Sequence, residues 1–109
     1  MRPVRPGDVV IVHLNPTRGT EQQSPAGGRP CVVVGGPFNW DSLVIVVPLT
    51  STDRGWVTHV PIHTDRTSLA MCEQVRSIAT DRITRIAGTV DASDLADIQS
   101  TLGRLINVY

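Results

Sequence analysis

Lysine is missing from this 109-residue chain: all ten basic side chains are arginine, and ten acidic residues balance them to a net charge of zero. That balance excludes a broad basic surface of the kind that holds nucleic acid through a general field, so any nucleic-acid contact has to be local. Aromatic residues are scarce, with one Phe, one Tyr and two Trp, too few for the aromatic-lined groove of a proline-peptide module. No apolar run approaches the ~20 residues needed to cross a bilayer. The opening MRPVRPGD has no apolar segment of the signal-peptide type, and the expectation is a cytoplasmic protein with no membrane partner. The two cysteines, Cys31 and Cys72, match no CxxC or Cys/His spacing, and His13, His59 and His63 form no ligand pattern. Buried free thiols are expected, and neither a metal nor a cofactor.

What the chain does contain is a series of short β-branched runs. DVVIVHL at 8–14, PCVVVGG at 30–36, LVIVVPL at 43–49 and WVTHVPI at 56–62 are each bounded by Gly, Pro, Asn or Asp, the pattern of strands in a compact all-β domain. MCEQVRSI at 71–78 and IAGTV at 86–90 are two shorter candidates, with one helical turn between them at 80–85. The period then changes. Leu95, Ile98, Leu102, Leu105 and Ile106 fall on one face of a helix, with Asp91 as N-cap and Asp94 in a first turn that favours negative charge. One domain spanning 1–109 is expected: mainly β, a strongly bent sheet closed as a barrel and covered by one C-terminal helix.

Between the first two strands lies TRGTEQQSPAGGRP at 17–30, a polar stretch with two arginines, one glutamate and two glutamines. Arg29 precedes Pro30, which biases it to an extended backbone at the mouth of a strand. There it is either a phosphate clamp, through two parallel guanidinium hydrogen bonds, or a solvated turn residue. Thr50, Ser51 and Thr52 close the third strand with hydroxyls that suit a phosphate or the nearby backbone equally. Glu21 and Glu73 are candidate general bases, or surface partners of Arg18 and Arg76. Trp40 and Trp56 are candidate base-stacking platforms or packing residues.

Taken in order, PGDVVIVHLNPTRGTEQ, GGRPCVVVGG, LVIVVPLTS, CEQVRSI and the terminal amphipathic helix resemble the MazF/PemK/Kid family of toxin endoribonucleases over nearly the whole chain. The resemblance implies an SH3-like β-barrel of the MazF/Kid/CcdB type, assembled as a homodimer. It implies metal-free, sequence-specific cleavage of single-stranded RNA, leaving a 2′,3′-cyclic phosphate and a 5′-hydroxyl, and neutralisation by a cognate MazE-like antitoxin. Arg29 and Thr50 fall on the family's principal catalytic pair, and Glu21 on the acidic position beside it. Gln22, Glu73 and Gln74 fall on positions that line or support the RNA groove, and Arg18 and Ser51 join them as RNA-binding candidates.

Two departures stand out. The Kid-like branch has a histidine at the position of Thr20 and an arginine near that of Met71, so its acid/base scheme does not transfer whole. The spacer at 23–28 is also longer than usual. Glu21 and Glu73 compete for the general base, with Glu21 ahead. The alternative is a non-enzymatic, gyrase-type poison on the same barrel, which has no need of Arg29, Thr50 and Glu21 together.

Overall fold

A computed structural model describes residues 2–13, 28–63 and 67–106. Seven strands run in chain order: β1 (Asp8–Val12), β2 (Arg29–Phe38), β3 (Leu43–Thr50), β4 (His59–His63), β5 (Thr67–Met71), β6 (Arg76–Ala79) and β7 (Ile83–Thr89). Helix α1 (Ala92–Leu105) follows. Two single 3-10 turns, Cys72–Gln74 and Thr80–Arg82, join β5 to β6 and β6 to β7. The run at 71–78, read as one strand, is thus split by the first turn between β5 and β6. The second turn is the helical turn expected at 80–85, and it is shorter.

All pairings are antiparallel, in the order β4-β5-β3-β2-β1-β7, with β6 alongside β3. Among the described residues the edge strands β4 and β7 do not pair with each other, so the bent sheet is not closed by hydrogen bonds as a barrel would be. The long strands β2 and β3 are covered on both faces. Val10, Val12, Cys31, Val33, Val44, Val46 and Ile78 form one cluster. Val32, Val47, Leu49, Val60, Ile62, Ala70, Cys72 and Ile98 form the other. Consecutive residues of β2 and β3 feed opposite clusters, and this is why both strands read as unbroken valine-rich runs instead of alternating. The bend comes at Gly35 and Gly36, where the β2–β3 register shifts. Gly36 has φ +94°, and a Cβ there would lie 3.0 Å from Phe38 and 3.1 Å from the Leu43 carbonyl, so only glycine suits the corner.

Helix α1 lies over the second cluster. Ile98 is buried, and Leu95 and Leu102 pack against it, but Leu105 and Ile106 are exposed. Asp91 occupies the N-cap position without a side-chain capping bond. The carboxylate that matters is Asp94: its Oδ2 accepts the His63 backbone N–H at 2.8 Å, and its Oδ1 meets His63 Nδ1 at 3.1 Å. Burial by itself would raise the Asp94 carboxyl, and these bonds outweigh it and hold the pKa below the usual range. The helix is thereby tied to the end of β4. Gln99 adds a bond from its amide to the Val34 carbonyl at 3.1 Å.

Asp8 explains the PGDV segment. Its side chain is fully buried and takes both Arg2 guanidinium nitrogens, at 3.0 and 2.8 Å, and the Arg5 backbone N–H at 2.9 Å. Burial would raise the Asp8 carboxyl, but Arg2 and Arg5 prevail and hold it low. Asp8→Asn is expected to cost about 2 kcal/mol in urea unfolding at neutral pH. A folded-state pKa below the unfolded one places this contribution fully above the ordinary carboxylate range. It is lost as pH falls through the lowered value, so the mutant's acid-unfolding curve should be flatter than that of the parent.

Candidate functional site

The geometry of the candidate site follows from one stretch of register. Val32 pairs with Val47 and Cys31 with Pro48, without a bulge. The β2–β3 pairs end at Cys31 and Pro48, and by strand alternation Arg29 and Thr50, each two residues beyond that last pair, fall on the same face at the adjoining ends of β2 and β3. Residues opposite one another in an antiparallel pair present their side chains on the same face. Arg29 also pairs with the buried Val12 on its other side. The guanidinium therefore leaves the sheet at the rim of a valine cluster, where its Nε is buried and has no hydrogen-bond partner among the described residues. An unpartnered buried donor is costly unless something accepts from it.

Gly28 sets the angle at which Arg29 enters. It has φ +99°, and a Cβ would lie 2.8 Å from Ile11 Cγ2 and 2.9 Å from the Val12 carbonyl oxygen. Glycine is therefore a steric requirement for close passage against β1. Pro30, beside Ile11, then starts a strand whose first residue is held extended. The charge at this rim is felt by Cys31. Burial pushes that thiol up to about 11, with Arg29 and Arg76 both pulling the other way. Both cysteines are free and buried.

Thr50 is half-buried, and its Oγ1 accepts the Thr52 backbone N–H at 3.1 Å. This local turn uses a lone pair of the hydroxyl and leaves its proton to donate, the polarity a phosphoryl oxygen needs. Ser51 is exposed next to it.

Glu73 sits in the turn Cys72–Gln74 and spends both carboxylate oxygens inside the protein. Thr58 donates to Oε1 at 2.7 Å, and His59 Nε2 meets Oε2 at 2.9 Å. Burial alone would raise this carboxyl, but the hydrogen bonds from Thr58 and His59 keep it below the usual range. A carboxylate so engaged is a poor proton acceptor at neutral pH. The ion pair with Arg76 weighed from the sequence is replaced by this network, and Gln74 next to it is exposed. His59, whose ring is 1% exposed, and Thr58 are the site residues that sequence reasoning passed over. Their one signal was the strand-like VTHVPI, which turns His59 and Val60 to opposite faces. Met71, where the Kid-like branch carries an arginine, pairs with His59 across β4 and β5.

Arg18, Thr20, Glu21 and Gln22 lie outside the described residues. Among the described residues no group of three His, Cys, Asp or Glu side chains is placed to hold a metal ion. A surface cavity of about 320 Å³ between Arg2, Pro37, Thr80 and Ile83 includes none of the residues above.

Glu73→Ala is expected to destabilise the fold by about 1–2 kcal/mol in urea unfolding. The isosteric Glu73→Gln should recover most of this, its carbonyl accepting from His59 Nε2–H and its amide donating to the Thr58 hydroxyl oxygen. A Glu73→Ala variant as stable as the parent would contradict the anchoring role.

Comparison with known proteins places these features in a family. A family model described as PemK-like, MazF-like toxin of type II toxin-antitoxin system matches residues 5–106. The chain is 34% identical over 105 residues to the endoribonuclease toxin MazF of Escherichia coli K12, covering 92% of this chain and 91% of that one. It is 33% identical over 112 residues to the endoribonuclease MazF9 of Mycobacterium tuberculosis, covering 91% and 92%. In fold it is similar to crystalline MazF from Deinococcus radiodurans, with a TM-score of 0.78 at 24% identity over 98% of this chain and 99% of that one. A mycobacterial endoribonuclease in complex with its cognate antitoxin also shares the fold, with a TM-score of 0.74 at 19% identity over 95% of each chain.

Proposed function

The chain belongs to the PemK-like, MazF-like toxin family of type II toxin-antitoxin systems, and from that premise we propose that it is a metal-independent endoribonuclease. Its substrate is single-stranded RNA, cut at a short sequence. The observation that supports the reading is that Arg29 Nε is buried and unpartnered among the described residues, at the end of β2 where continuation of the Cys31–Pro48 register puts Arg29 on the same face as Thr50.

In this reaction the ribose 2′-oxygen attacks the adjacent phosphorus in line, forming the 2′-O–P bond as the bond to the 5′-oxygen breaks. The 2′-hydroxyl proton passes to a base and the departing 5′-oxygen takes up a proton, leaving a 2′,3′-cyclic phosphate and a 5′-hydroxyl. Negative charge builds on the non-bridging oxygens, and fixed donors aimed at them are the main requirement. Arg29 supplies a bidentate cation. Thr50 adds its free O–H, with Ser51 beside it. The role of the Arg29 guanidinium is electrostatic, as a fixed cation aimed at those oxygens. Glu73 is committed to Thr58 and His59, which leaves Glu21 as the general base. Gln22, Gln74 and Arg18 contribute to binding RNA, and Glu73 does so indirectly, by holding Gln74 in place. DNA lacks the attacking hydroxyl and is spared.

Partners follow from the same family membership. The protein acts in the cytoplasm as a homodimer and is silenced by a cognate MazE-like antitoxin. The mycobacterial endoribonuclease solved in complex with its cognate antitoxin supports the last of these.

Arg29→Ala is expected to lower kcat by about 10² to 10³ or more and Thr50→Val by about tenfold or more, with circular dichroism and dimer mass unchanged. EDTA should leave the parent activity intact. End mapping on a long mixed-sequence RNA reads the cut site and the end chemistry together; an EDTA-sensitive activity, or 5′-phosphate ends, would reject the scheme.

A further inference from the structure

Thr50 leads into the segment joining β3 to β4, residues 51–57 of which are exposed. Within it the Asp53 carboxylate accepts the Gly55 N–H at 2.8 Å, and the Trp56 carbonyl accepts the His59 N–H at 3.1 Å. These bonds give the segment a defined shape without covering Trp56, which remains 51% exposed. The indole is braced from two sides. Arg54 Cζ lies 5.5 Å from the ring centroid, and the His59 ring lies 5.0 Å away, tilted by 51°. His59 is itself held by Glu73. Val57 and Val75 are exposed as well.

The sheet places this platform on the Thr50 side of the molecule. Thr50 pairs with Leu69, Leu69 with Pro61, and Met71 with His59. By alternation all five residues share one face, opposite to Leu49, Ala70 and Val60 of the second cluster. His59 lies two strands across and two residues along from Thr50, about 12 Å between Cα atoms at ordinary strand spacing and rise. A short single strand of RNA spans that separation.

We propose that Trp56, together with Arg54, is a stacking platform for a nucleobase of the RNA strand whose scissile phosphodiester lies at Arg29 and Thr50. The inference rests on the ribonuclease reading and adds a residue outside its reacting groups. An indole offers a π-face to any base, and a guanidinium already lying against it can stack on the base or bind the neighbouring phosphate. Such a contact is tolerant of sequence, so Trp56 contributes affinity, while the choice of base falls to hydrogen-bonding groups such as Gln74. Trp40 provides an internal control. It is 99% exposed and lies at the opposite end of the β2–β3 hairpin from Arg29.

Trp40→Phe leaves Trp56 as the remaining tryptophan and as a direct reporter. Titrating that protein with an uncleavable 2′-O-methyl single-stranded RNA containing the mapped cut sequence should quench its emission saturably. Trp56→Ala should raise KM about tenfold with little change in kcat, Trp56→Phe should recover most of the loss, and Trp40→Ala should change neither. Trp56 emission that stays constant at saturating RNA overturns the platform, as does a Trp56→Ala protein that is folded by circular dichroism and keeps the parent KM. In both cases the ribonuclease reading survives if the parent still cleaves. A parent that cleaves no RNA overturns the ribonuclease reading and the platform with it.

Discussion

From Val33 to Cys31, β2 runs against Val46 to Pro48 of β3 without a bulge, and the rest of the site depends on that register. A slip of one residue would exchange the two hydrophobic clusters and turn Arg29 away from Thr50. The slip is prevented because both faces are committed. Cys31, Val33 and Val46 are buried on one side, and Val32 and Val47 on the other. A strand with one solvated face has a single hydrophobic set to protect; this pair has two. The price of such a core is low tolerance at its rim, visible in the glycine required at position 28.

The same cluster shapes the electrostatics. Arg29 leaves the sheet beside Val12 and Cys31, so part of its guanidinium is removed from water while its charge remains. Charge–charge interactions strengthen as the local dielectric falls. A guanidinium suits this position because it stays protonated and is less strongly hydrated than an ammonium.

On the other flank, the edge strand β4 is secured at both ends by carboxylates from later in the chain. Glu73 holds His59 and Asp94 holds His63. An edge strand with one paired side is the least constrained part of a sheet. The two histidine–carboxylate contacts fasten it to the turn after β5 and to the start of α1. The His59–Glu73 contact also fixes the His59 end of the segment that leaves Thr50, where the half-exposed Trp56 lies against the His59 ring.

Much of this was legible in the linear order of residues. β-branched runs bounded by turn residues locate β1 to β3, the change of period at Leu95 locates α1, and the motifs around Arg29 and Thr50 indicate the family. Local pattern accounts for each, because strand and helix propensity and capping are short-range. Three features were not legible. The break of 71–78 into β5, a turn and β6 depends on which strands compete for β3. The partners of Glu73 are Thr58 and His59, 15 and 14 residues away. Among the described residues β4 and β7 do not pair, an outcome of how strands far apart in the chain are arranged, which composition does not express. The sequence by itself determined which residues seek the core and which chemical groups are available at positions 29 and 50. Only the tertiary structure decided that those groups share a face and that Glu73 is an anchor, since both depend on register and contacts between segments far apart in the chain.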